Sequence, residues 1–165
     1  MSEIKTLKGV TSQMIQTSRL NTHVLTCGPE DGTPVVFLHG NFTAATFWEE
    51  MMLALPAGFR GIASDMRGYG WTEDKLIDAT RGMRDWSDDL DALLATLGIE
   101  KAHLVGWSLG GGVVYHFLID HPDKVLSATL VSPVSPYGFG GTKDVEGTPC
   151  YDDFAGSGGG VVNPE

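Results

Sequence analysis

The hydrophobic pattern of this chain changes rhythm near Gly32. Before that point, residues 9–17 and 19–27 alternate loosely between apolar and polar positions and end in the turn-rich run Gly28-Pro29-Glu30-Asp31-Gly32, which predicts a β-hairpin leading into a sheet. Beyond it the apolar residues come in short unbroken blocks, as buried parallel strands require. Val35-Val36-Phe37-Leu38 is one such block, residues 61–63 a second, 103–105 a third and 128–131 a fourth. Between them residues 46–53 suit a helix. A clearer helix follows, because Met83, Trp86, Leu90, Leu93, Leu94 and Leu97 recur at steps of three and four and Gly98 supplies a C-terminal cap. Its other face carries Asp85, Asp88, Asp89 and Asp91. Residues 109–120 form the last predicted helix. Strands alternating with helices predict an α/β fold with a doubly wound, mostly parallel sheet. The pattern stops after the sixth strand.

Composition narrows the partners. The 165 residues are 42% hydrophobic and 19% charged, ordinary values for a globular chain, so disorder throughout is excluded. Eleven Lys and Arg against 21 Asp and Glu give a formal net charge of -10, which repels phosphate backbones and anionic lipid. Nucleic acid and membrane are therefore not expected partners. No apolar run resembles a signal peptide or a membrane span, so a cytoplasmic location is the default expectation. Cys27 and Cys150 belong to no Cys/His cluster and read as free thiols, and no metal or cofactor is implied.

The residues that carry chemistry are Gly106-Trp107-Ser108-Leu109-Gly110, a G-x-S-x-G set between an apolar strand and a helix. A serine on so sharp a turn is held in a strained backbone with its hydroxyl raised above the sheet, and the glycines let neighbouring elements pass close by. The helix that begins at Leu109 aims its free N–H groups and the positive end of its dipole at the place where an attacked carbonyl oxygen would gain charge. Ser108 is thus the candidate nucleophile and the backbone N–H of Leu109 a candidate oxyanion donor. His39-Gly40-Asn41-Phe42 ends the first buried parallel strand, on the same rim of the sheet, and offers the N–H of Asn41 as the second donor. His39, Phe42 and Trp107 fall where a substrate pocket would be lined, with His39 also suited to a structural role.

In order along the chain, His39-Gly40-Asn41, Asp65-Met66-Arg67-Gly68-Tyr69-Gly70, Gly106-Trp107-Ser108-Leu109-Gly110-Gly111 and His121-Pro122 resemble the motifs of the α/β-hydrolase superfamily from about residue 20 to residue 135. The resemblance implies the α/β-hydrolase sheet and, by its particular residues, the branch of small esterases, haloperoxidase-like hydrolases and carbon–carbon bond hydrolases, whose nucleophile is serine. Epoxide hydrolases and haloalkane dehalogenases are similar but place Asp at the position of Ser108. It also implies that Asp65 and Arg67 brace loops as a structural pair. The expected reaction is hydrolysis of a carboxylic ester or related small acyl substrate through an acyl-enzyme at Ser108.

A serine needs a base. His103 begins the strand that Ser108 follows and so lies roughly 16 Å away at the opposite rim. His116 is about 12 Å along the next helix, with His121 further still. His23 belongs to the hairpin, and His39 stands beside the oxyanion loop. The resemblance places the acid after a seventh strand and the base after an eighth, and neither strand is apparent. Residues 1–133 accordingly read as the N-terminal part of a hydrolase core and 134–165, with Asp144, Asp152, Asp153 and the run Gly156-Ser157-Gly158-Gly159-Gly160, as the start of a flexible lid. Three readings stay open: part of a serine hydrolase whose C-terminal half is a second chain or cleaved segment, a binding protein that keeps the pocket without turnover, and a truncated product without function.

Overall fold

The computed structural model describes residues 4–134, and their backbone forms six strands and three helices. Strands β1 (Thr11–Gln16) and β2 (Asn21–Cys27) make the hairpin, with Met14 opposite His23. Strands β3 (Thr33–Leu38), β4 (Phe59–Ser64), β5 (Ala102–Trp107) and β6 (Val125–Val131) are parallel to one another, and β2 runs antiparallel along β4. The spatial order is β1-β2-β4-β3-β5-β6. Crossing from β3 over to β4 and back to β5 leaves the ends of β3 and β5 side by side, and a crevice opens where such a winding reverses.

Alternate residues of the central strands feed two cores. Val24, Val36, Leu38, Ile62 and Leu104 face helices α2 (Arg84–Thr96) and α3 (Leu109–Asp120), where Leu90, Leu93, Leu94, Val113 and Phe117 close the layer. Leu25, Val35, Phe37 and Ala63 face the other way, against Trp48 and Met52. Trp48 ends a 3-10 turn, Ala45–Trp48, which continues into the short helix α1 (Glu49–Leu53), so the helix predicted over 46–53 is built in two pieces. Helices on both faces explain why β3 and β4 read as unbroken apolar runs rather than as alternation. The edge strand β6 is different: Leu126 and Val131 are 47% and 40% exposed. Cys27 is buried and donates its thiol to the carbonyl of Met52, while burial pushes its pKa up against the opposing hydrogen bond from Gly61. Among the described residues no helix is long and apolar enough to cross a membrane, and no group of acidic, His and Cys side chains is arranged to hold a metal ion. Residues 135–165, where the lid was expected, lie outside the described residues, as does Cys150.

The acidic face of α2 is not a solvated one. Arg67 grips Asp89 with two hydrogen bonds, Nε to Oδ2 at 2.8 Å and Nη2 to Oδ1 at 2.7 Å, and Arg19 adds a third to the same carboxylate at 2.7 Å. Arg81 and Arg19 both reach Asp85 and Asp88. The side chains of Arg67 and Asp89 are only 8% and 11% exposed, so each charge depends on the other. Removing one partner of a buried pair leaves the second uncompensated. Asp89→Ala is expected to lower unfolding free energy by about 3 kcal/mol, read from denaturant midpoints at constant slope, and a loss below about 0.5 kcal/mol would mean that the pair is solvated after all.

Candidate active site

Ser108 sits between the last residue of β5 and the first residue of α3 with φ 52° and ψ -113°, a left-handed conformation that a residue with a side chain adopts only under constraint. The constraint is visible on all sides. Its N–H donates to the carbonyl of Val131 at 3.0 Å, and its carbonyl accepts from Val134 at 3.0 Å. The end of β6 therefore clamps the elbow, a contact that no local sequence pattern announces. A β-carbon on Gly110 would lie 2.3 Å from the carbonyl oxygen of Leu38, and one on Gly106 would lie 2.5 Å from that of Gly110. These glycines let α3 start hard against the ends of β3 and β5. Gly111 meets Pro133 in the same way, at 2.6 Å.

Leu109 is the first residue of α3, and the N–H groups of a helix's first turn have no acceptor within the helix. Asn41 lies one loop away, just past β3. Its side-chain oxygen is taken up by the loop itself: it accepts from the N–H of Phe42 at 3.1 Å and from the Tyr69 hydroxyl at 2.7 Å. Phe42 also has a positive φ, 58°, and is 94% exposed. Trp107 stacks on Phe47 with ring centroids 4.6 Å apart and planes at 12°. Its ring fits only because residue 40 is glycine, whose β-carbon would lie 2.7 Å from it. Phe47 and Trp107 thus give this rim an aromatic wall, and Phe42 stands exposed on the loop after β3.

His39 does not line that wall. It is fully buried, its Nδ1–H donating to the carbonyl of Gly40 at 2.8 Å and its Nε2 accepting from the N–H of Met66 at 3.0 Å. Burial holds the imidazole below its ordinary pKa, against the smaller opposing pull of the Gly40 carbonyl and the Asp65 charge, so the ring is a neutral brace beneath the loop. The pocket role expected for His39 is corrected accordingly. The expected pairing of Asp65 with Arg67 is also replaced. Arg67 goes to Asp89, while Asp65 accepts from His23 Nδ1 at 2.7 Å and from the N–H groups of Ala45 and Trp71 at 2.7 and 2.9 Å. The second glycine of Asp65-Met66-Arg67-Gly68-Tyr69-Gly70 now has a reason: with φ 55° its missing β-carbon would fall 1.9 Å from the Asp65 carboxylate. Tyr69, in the same motif, is the residue sequence reasoning missed. Its tyrosine-to-Asn41 bond had no periodic or spacing signal.

The histidines are engaged away from Ser108. His23 bonds to Asp65, His103 to Ser127 at 2.7 Å, and His121 packs on Phe117. His116 is buried two turns down α3.

A serine on a strand-to-helix elbow, at the rim of a parallel sheet beside a loop from the neighbouring strand, defines a hydrolase-type α/β architecture. The chain belongs to the alpha/beta hydrolase fold family, whose model matches residues 33–149. It is similar to an uncharacterized carboxylesterase, nap, of Bacillus subtilis, with 36% identity over 117 residues, 70% of this chain and 38% of that protein. Among solved structures it resembles a serine hydrolase of Cycloclasticus zankles (TM-score 0.72, 30% identity, 77% of this chain and 47% of that one). It also resembles an epoxide hydrolase of Vigna radiata (TM-score 0.70, 28% identity, 76% of this chain and 40% of that one). The chain spans less than half the length of each.

Two outcomes follow from this geometry. Because the groups struck at Gly110 are backbone atoms that cannot rotate away, Gly110→Val is expected to prevent soluble folding; a soluble variant melting like the parent would refute the elbow packing. Asp65 gives a pH dependence. Burial alone would raise its pKa, but the bonds from His23, Ala45 and Trp71 outweigh it and hold the carboxyl below the usual range. A folded pKa below the unfolded value of about 3.9 contributes stability that is present above that pH and lost as pH falls through the folded value. The stability gap between the parent and Asp65→Asn is therefore expected to narrow on acidification below about pH 4, as measured by denaturant unfolding; a gap that widens would reverse the sign.

Proposed function

We propose that this chain carries the nucleophile of a serine hydrolase that cleaves a carboxylic ester or related small acyl substrate through an acyl-enzyme at Ser108. The observation that carries the reading is the strained Ser108 at the head of α3, on the rim it shares with Asn41. Its Oγ attacks the carbonyl carbon, the N–H groups of Leu109 and Asn41 receive the developing oxyanion, the alcohol leaves, and water releases the acid. Each well-aimed donor contributes about 3 kcal/mol to the transition state. The aromatic side chains of Phe42, Phe47 and Trp107 suit an apolar acyl or alkyl group. With serine as the attacking atom, the ester intermediate has a hydroxyl oxygen from the enzyme, which separates this chemistry from that of relatives built on an aspartate nucleophile.

The general base and its acid come, in this reading, from a C-terminal hydrolase segment outside residues 4–134. Two observations support it. The chain spans 36 to 47% of the length of six curated relatives that it matches. The edge strand β6 has apolar side chains in contact with solvent, as a strand awaiting a neighbour would. The partner is then the rest of the hydrolase, joined or separate.

Ser108→Ala, made in the protein assembled with that segment, is expected to reduce hydrolysis of a short aliphatic ester, followed by pH-stat, by several powers of ten while the melting temperature stays the same. Turnover near the parent rate would refute Ser108 as nucleophile. Aliphatic ester turnover by the 165-residue chain alone would refute the need for the segment.

A further inference from the structure

The sheet edge farthest from Ser108 holds a second serine in a hydrogen-bonded chain. Ser12 Oγ on β1 lies 2.9 Å from His23 Nε2 on β2, and His23 Nδ1 lies 2.7 Å from Asp65 Oδ2 at the end of β4. The side chains of His23 and Asp65 are both fully buried. Asp65 already accepts two backbone N–H bonds, so it is the ionised acceptor and the proton between it and His23 sits on Nδ1. In the neutral imidazole Nε2 then keeps its lone pair and accepts from the Ser12 hydroxyl. The imidazole is oriented by the Asp65 carboxylate and stands edge-on to Trp71 at 5.3 Å, while the backbone N–H of His23 is held by Thr72 Oγ1 at 2.9 Å. Nucleophile, base and orienting carboxylate thus stand in the order that activates a serine hydroxyl.

Ser12 is half-buried on the wall of an open cavity of about 1160 Å³. Met14 and Trp71 give this cavity apolar surface, Gln16 and Asn21 give it neutral hydrogen-bonding groups, and Glu73 gives it a negative charge. An uncharged ligand is favoured there over an anionic one. Strand β1 is four places from β5 in the sheet, so Ser12 lies about 19 Å or more from Ser108 and does not share its pocket.

We propose that Ser12 is a second acylable serine, which takes the acyl group of a small uncharged aryl ester independently of Ser108. The Ser12 oxygen bonds to the acyl carbon as the ester C–O bond breaks. The aryloxide leaves with the electron pair, and the hydroxyl proton passes to His23 Nε2 and then to water. An aryl ester is the matching class because an aryloxide departs without needing a proton, so the base alone suffices.

The chain contains its own control. Ser127 is hydrogen-bonded to His103 Nδ1 at 2.7 Å and is more exposed than Ser12, but no carboxylate is bonded to that histidine among the described residues. The 165-residue chain carrying Ser108→Ala would be treated with 4-nitrophenyl acetate, with nitrophenolate release followed by absorbance and the acetylated peptides identified by mass spectrometry. Acetyl transfer to Ser12 about a hundredfold faster than to Ser127, with the fast phase lost in Ser12→Ala, is the expected result. A Ser12 peptide acetylated no faster than that of Ser127 would overturn the proposal, as would a fast phase unchanged by Ser12→Ala. Since Ser108 is absent from every sample, neither outcome bears on the aliphatic ester chemistry assigned to it.

Discussion

The fold around both serines depends on one buried carboxylate. Asp65 follows β4 and accepts hydrogen bonds from three separate parts of the chain: His23 on the hairpin, Ala45 at the start of the turn after the loop bearing Asn41, and Trp71 beyond the tight turn at Gly70. A buried carboxylate without such donors would give up its charge, and one with three of them keeps it and fixes all three partners in place. The antiparallel hairpin is thereby locked onto an otherwise parallel sheet, and the loop bearing Asn41 is held over the ends of β3 and β5. His39 and Tyr69 complete this support, one bonding to Met66 below the loop and the other to Asn41 within it.

On that foundation the elbow at Ser108 is a matter of close backbone approach. The unfavourable backbone of Ser108 persists because its N–H and carbonyl are tied to β6 and the segment after it, and because Gly106 and Gly110 let a helix begin where any β-carbon would collide with a carbonyl. Strain, in this site, is maintained by tertiary contacts from residues 131–134 as much as by the motif. The aromatic wall follows from the same packing, since Trp107 occupies space that Gly40 leaves open.

Charge is distributed with similar economy. The net charge of -10 suggests a repulsive surface, yet the largest acidic concentration, on α2, is turned inward onto Arg19, Arg67 and Arg81. The arginine of the Asp65-to-Gly70 motif belongs to that network rather than to Asp65. One turn of chain therefore separates two independent anchors, a carboxylate that organises loops and a guanidinium that docks a helix.

The sequence by itself determined the class of fold, the order of its elements and the place of Ser108 on a strand-to-helix elbow. Periodicity is a local property: apolar blocks bounded by turns, leucines three and four apart, and a serine flanked by glycines between a strand and a helix can all be read without knowing what they touch. It also indicated that Asn41 and Ser108 would share a rim, because strand ends in a parallel sheet must gather there. What only the tertiary structure decided is which polar groups find each other. Asp65 and Arg67, two residues apart, take different partners; His39 turns under its loop instead of into the pocket; Tyr69 reaches Asn41 across 28 positions; and Ser12, His23 and Asp65 converge from three strands. A hydrogen bond across such distances leaves no periodic trace in the chain, since it depends on the register of strands and on a few ångströms of space that a missing β-carbon provides.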